Sequence, residues 1–221
     1  MTIKVMMLGR RRPGQTLAEN RSHMKDVHGR LVLDYMAADA DNAPRRYVQN
    51  HAFDGIYAGG EGQVKVFALG LDFVTEVWFP DLPTLKASRE TQFYLERLQP
   101  DEPRMVDTAT VIGLPVMEEI IVAPASRDHL IKVFLTWHGT KPTVAALADA
   151  LGASLDGVLG QCRNTPAVPA QIEAIDEFWW PGEADGIAFA EACRDAIHAR
   201  LPNDHANFTL TIAREFVLHA G

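Results

Sequence analysis

Two histidines, a tyrosine, an asparagine and a glutamate fall where side-chain proton chemistry is feasible. His28 has Met24 four residues before it, and Leu31 and Val32 three and four residues after it. A helix therefore places it along an apolar stripe. An imidazole there can remove or return a proton near neutral pH, because its ordinary pKa is about 6.5. The competing reading is a core histidine with both nitrogens satisfied by backbone. His51 ends the polar run Arg46-Tyr47-Val48-Gln49-Asn50-His51 and would supply the complementary acid. Strand alternation puts Tyr47, Gln49 and His51 on one face and Arg46, Val48 and Asn50 on the other. Tyr47 or Asn50 would hold a carbonyl or phenol, and a regular strand lets only one of them do so. Glu76 alternates with Val74 and Trp78. That pattern fits either a buried acid or base or an anchor for an arginine across the sheet. His23 lies about 140° from His28 on a regular α-helix, so it reads as solvated and the pair cannot chelate one metal from the same face.

Other chemistries lack their signals. No GxGxxG, Walker loop, HExxH or GxSxG is present, so nucleotide, zinc-protease and serine-hydrolase readings lose their usual support. Gly59-Gly60-Glu61-Gly62 is glycine-rich without a strand-loop-helix context and reads as a turn or lid. The two cysteines, Cys162 and Cys193, have neither close spacing nor further partners. A reducing cytoplasm suits that usage better than a disulfide framework. The 221 residues carry a net charge of -8, which opposes binding to phosphate backbones or anionic membranes. No apolar run reaches bilayer length, and the N-terminus moves straight into a strand-like pattern without a signal-peptide core.

These side chains must be held by repeated elements. Ile3-Lys4-Val5-Met6-Met7-Leu8 recurs as Ile131-Lys132-Val133-Phe134-Leu135-Thr136. Glu76-Val77-Trp78-Phe79-Pro80 recurs as Glu177-Phe178-Trp179-Trp180-Pro181, and Val116–Val122 has a looser echo in Ile212–Leu218. Thr16-Leu17-Ala18-Glu19 matches a capping box before the helix that bears His28. Asp81 can cap a second helix. Each copy reads as strand, helix, strand, strand, helix, strand, the ferredoxin-like plan. The expected fold is α+β: two ferredoxin-like βαββαβ repeats fused into a pseudo-dimeric α+β barrel, sheet packed on sheet. Residues 1–123 would form the domain carrying the site. Residues 129–221 would form a degenerate second repeat, joined through Ala123–Asp128.

The residues also resemble a known family. Arg11-Arg12-Pro13-Gly14, HMKDVHGRLV at 23–32, RRYVQNHAFDG at 45–55 and DFVTEVWFPDLPTLKAS at 72–88 are together similar to the EthD-domain family, over about residues 3–122. The resemblance implies the dimeric α+β barrel superfamily. Its members include cofactor-free dehydratases, decarboxylases, cyclases and isomerases acting on aromatic or polyketide-like substrates, alongside haem-binding enzymes. His28, followed by Gly29-Arg30-Leu31, is the position that matches the family's histidine motif. The expected function is thus a lyase or isomerase acting on a small ring-containing or enolisable substrate. His28 and His51 would be catalytic, with Tyr47, Asn50, Glu76 and Trp78 at the substrate and no metal or organic cofactor. The segment 45–71 would close over the pocket. The rival readings are a non-catalytic small-molecule binder and a haem protein using one histidine. A homodimer of the fused pair is compatible with the acidic surface.

Overall fold

The computed structural model describes residues 2–58, 70–124, 130–205 and 207–221. Strand β1 (Ile3–Gly9) leads into α1 (Leu17–Ser22). The capping box forms as expected: the Thr16 hydroxyl accepts from the Glu19 N–H, and the Glu19 carboxylate accepts from the Thr16 N–H. The chain then passes through a π-helical turn at His23–His28 into α2 (Gly29–Ala38) without leaving helical geometry. Strands β2 (Arg46–Ala58) and β3 (Phe73–Phe79) follow. Asp81 accepts from the Thr84 N–H and so starts α3 (Leu82–Ser88). A second π-helical turn, Tyr94–Leu98, precedes α4 (Glu102–Met105) and β4 (Ile112–Val122). The remaining elements are β5 (Ile131–Trp137), α5 (Val144–Leu151), β6 (Gly160–Pro166), β7 (Ala174–Trp180), α6 (Glu183–Arg200) and β8 (Phe208–His219).

The eight strands form one closed sheet in the order β1-β3-β2-β8-β5-β7-β6-β4. This corrects the expected fusion of two ferredoxin-like repeats into a pseudo-dimeric barrel of sheet packed on sheet. The reason lies in strand length. β2, β4 and β8 have 13, 11 and 12 residues, whereas β1, β3, β5 and β7 have 7 each. Among the described residues β2 pairs with β3 through Arg46–His51, and β2 lies next to β8 in the strand order. A four-stranded sheet would leave two edges of unpaired backbone groups, and continuous pairing removes them. Gly59–Gly62, residues 59–69 of the lid assigned to 45–71 and part of the Ala123–Asp128 linker lie outside the described residues.

The chain divides into two compact units. The first comprises the residues up to His51, Asp72–Pro115 and Phe216–Gly221; the second comprises Val116–Glu215 with the end of β2. In the second unit, alternate residues of β5 and β7 turn toward α5 and α6. Trp137, Leu147, Phe178, Trp180, Phe189 and Phe208 fill the space there, and the Phe178 and Phe189 ring centroids are 4.7 Å apart. Among the described residues, no helix is long and apolar enough to cross a membrane.

Gly186 on α6 lies so close to the sheet that an added Cβ would sit 2.7 Å from Ile131 Cγ2. That methyl is on a β-branched side chain and cannot swing away. Gly186→Ala should therefore lower stability by about 1–3 kcal/mol, despite the roughly 1 kcal/mol gain in helix propensity. Urea unfolding with an unchanged m-value checks this.

Candidate functional site

The same alternation leaves a hollow in the first unit. Met7 on β1 and Phe73, Val77 and Phe79 on β3 form the floor of a cavity of about 240 Å³. Val32 and Tyr35 of α2, the α3 end and the second π-helical turn form its other walls. Most of the lining is apolar. The titratable side chains that reach it are those of His28, Tyr35, Arg89, Tyr94 and Glu102.

His28 is buried, with its Nδ1 3.0 Å from Asp101 Oδ2. The other carboxylate oxygen of Asp101 is 3.0 Å from His23 Nε2. A regular α-helix would separate the two imidazoles, but the π-helical turn, whose bonds run from i to i+5, brings positions 23 and 28 to one side. Its signature is the Gly29 N–H donating to the Met24 carbonyl. Gly29 is itself required here. A Cβ would lie 3.0 Å from Met24 O and 3.4 Å from Gln49 Nε2, and Gln49 donates to that same carbonyl at 2.6 Å. Asp101 is held below the ordinary carboxylate range, chiefly by the hydrogen bond from His28 and further by His23, against the opposing effect of burial. It is therefore an anion that accepts a hydrogen bond from His28 Nδ1–H, and His28 itself lines the cavity.

A second polar group lies at Arg89. Its Nη1 donates to the Tyr94 hydroxyl and to Glu102 Oε1, and the guanidinium stacks over the Tyr94 ring at 4.8 Å. The Tyr94 hydroxyl in turn donates to Glu102 Oε1 at 2.9 Å. Burial raises the Tyr94 pKa and Glu102 adds to the rise, while Arg89 opposes it. The phenol is therefore a neutral donor. Asp101, Arg89, Tyr94 and Glu102 escaped the sequence reading. Asp101 lies 73 positions from His28, and no motif links the two.

The other expected site residues lie away from this cavity. Tyr47, Gln49 and His51 do share a face. Gln49 Nε2 donates to the Tyr47 hydroxyl, and Gln49 Oε1 is 3.0 Å from His51 Nε2. The His51 ring also lies 4.7 Å from Phe216. Asn50, Glu76 and Trp78 occupy the opposite face. Asn50 Nδ2 donates to Glu76 Oε2 at 2.8 Å, Lys4 Nζ is 2.5 Å from Glu76 Oε1, and Lys4 also lies over the Trp78 ring. The structure thus brings His28 to the cavity and groups the remaining five elsewhere.

In the second unit, Glu118, Cys162 and Glu177 hold ligand atoms within 4.8 Å of one another. Their surroundings oppose a metal. Lys132 Nζ is 2.9 Å from Glu177, and Asn164 Nδ2 donates to both Glu177 and Cys162. An ammonium already supplies the positive charge there.

Burial lowers the His51 pKa from 6.5 to about 4, with Arg21 and Lys25 adding to the effect. The folded state therefore binds fewer protons than the unfolded state between those values. The associated stability is intact above pH 6.5 and is lost as pH falls toward 4. At 1.36 kcal/mol per pKa unit this loss is roughly 3 kcal/mol. Urea unfolding between pH 7.5 and 4 should show the decline, and His51→Gln should flatten it.

Comparison with known proteins places this geometry. Residues 12–109 match the EthD domain, a span that contains His28, Arg89, Tyr94 and Asp101; it does not extend to residues 129–221, and a tandem two-copy form is not shown. Among curated proteins there is no significant match. An anthrone oxidase-like protein is similar in structure, with a TM-score of 0.54 at 11% identity, covering 99% of this chain and 94% of that one. A candidate monooxygenase from Lactobacillus acidophilus NCFM gives 0.55 at 8% identity, covering 100% and 98%. A chlorite dismutase variant from Candidatus Nitrospira defluvii gives 0.51 at 9%, covering 96% and 90%. These likenesses are of fold alone, and the sequence match is to the EthD domain over residues 12–109.

Proposed function

We propose that the chain is an enzyme whose first step removes a proton from a small ring-containing or enolisable substrate bound in the first unit's cavity. The observation that carries this reading is the His28–Asp101 hydrogen bond at the wall of a mostly apolar hollow. Nε2 takes the C–H proton, and the C–H electron pair stays on the substrate as an enolate. Asp101 balances the new imidazolium, as the orienting carboxylate of a catalytic triad does. Return of the proton at another atom makes an isomerase, and loss of a β leaving group makes a lyase. Neither outcome calls for a metal or organic cofactor. Anthrones, which the printed name of one structural relative mentions, carry an enolisable C–H across the ring from their carbonyl. That is the kind of proton this site would take.

Haem does not fit these residues. The cavity beside His28 is about 240 Å³ and is bounded by β1, β3 and three helical segments, which is too confined for a tetrapyrrole. In the second unit the space under the helices is filled by Trp137, Phe178, Phe189 and Phe208. An accessory binder is the rival favoured by the apolar walls. It predicts ligand affinity that survives His28→Gln, without turnover by the wild type.

The test is deuterium exchange into a panel of cyclic and fused-ring ketones, including anthrone, in D₂O. Wild-type protein should accelerate exchange for at least one member. His28→Gln should remove about 10²–10⁴-fold of that rate. Asp101→Asn should cost at least about tenfold by favouring the wrong tautomer. Equal rates for wild type and His28→Gln would overturn the reading.

A further inference from the structure

The cavity's ligand chemistry can be specified beyond its ring. Arg89 is the only guanidinium among the described residues lining this cavity. Both of its hydrogen bonds, to Tyr94 and to Glu102, leave from Nη1. Its Nε and Nη2 therefore have no protein partner among the described residues. Those two N–H groups form the edge of the guanidinium fork that matches a carboxylate with two parallel bonds. The existing Arg89–Glu102 contact is 3.3 Å long, and the two side chains are 43% and 32% exposed. A half-exposed pair of that kind contributes little, because solvent screens it, so it offers weak competition. The aromatic and aliphatic walls, Phe73, Val77, Phe79 and Leu98 among them, suit a flat apolar body. The neutral Tyr94 phenol, held by burial, adds no negative charge.

We infer that the cavity selects an aryl carboxylate, with Arg89 taking the carboxylate through Nε and Nη2 and the apolar walls taking the ring. The inference rests on the proposal that this cavity is the ligand site, but it concerns binding and not proton transfer. Arg89 is then a specificity residue, and Glu102 is the internal carboxylate that the ligand's own carboxylate must outcompete. The two residues should respond to neutralisation in opposite directions, an outcome that a purely structural ion pair would not give.

Calorimetric titration with 2-naphthoate and its neutral counterpart 2-naphthamide tests this. Wild-type protein should bind the carboxylate roughly tenfold or more tighter than the amide, the scale of a charge-assisted pair. Arg89→Gln should erase that preference while leaving amide binding in place. Glu102→Gln should increase it. His28→Gln should preserve it, so that failure of the acid-base proposal leaves this result standing. Equal affinity for the two probes in the wild type, no detectable binding of 2-naphthoate, a preference unchanged in Arg89→Gln, or a preference that falls in Glu102→Gln would each overturn the inference.

Discussion

Lys4 and Lys132 are each only 1% exposed, and each ammonium meets a carboxylate that is also buried: Glu76 at 2.5 Å and Glu177 at 2.9 Å. An amide joins each pair, Asn50 to Glu76 and Asn164 to Glu177. An indole covers each ammonium, Trp78 at 5.0 Å and Trp179 at 4.5 Å. Removing one partner from such a pair strands a buried charge, which typically costs 3–5 kcal/mol. A strand that slips by one residue turns every side chain to the other face. Slippage of β1 against β3 would therefore carry Lys4 away from Glu76. The ion pairs act as register pins, and the register decides which residues are left to face the helices.

That consequence reaches the site directly. With Lys4, Glu76 and Trp78 committed to one face, Met7, Phe73, Val77 and Phe79 must occupy the other, where they line the cavity. The second unit follows the same rule and reaches a different end. Its helix-facing residues are large aromatics that interdigitate with α5 and α6. The first unit has smaller or less invasive groups there and keeps a hollow. A buried carboxylate can thus shape the cavity without lining it. Glu76 holds a register, and the register shapes the pocket beside His28.

Much of the strand and helix order was readable because it depends on neighbours in sequence. The repeated segments Ile3–Leu8 and Ile131–Thr136 lie in β1 (Ile3–Gly9) and β5 (Ile131–Trp137). Thr16 and Asp81 both cap as their local chemistry requires. The shared face of Tyr47, Gln49 and His51 followed from simple alternation, whereas the partner of Glu76 is Lys4 and not the arginine weighed for it. Sheet closure was not readable, because the extra residues of β2, β4 and β8 have no local mark of the strand they will meet. The site was readable only in part. His28 stood out by its place in an apolar stripe, whereas Asp101 and Arg89 reach it through long-range folding. His23 was misplaced for a definite reason: helical-wheel arithmetic assumes i→i+4 bonding, and this turn bonds i→i+5.

The π-helical turn also sets the charge balance of the site. Because positions 23 and 28 face the same way, one carboxylate serves two imidazoles. In the proposed reaction Asp101 already lies beside His28, where it would balance the charge that a proton taken from substrate creates, so that no solvent must rearrange to supply it. A regular helix could not produce this arrangement, since it would turn the two rings apart and leave Asp101 to a single partner.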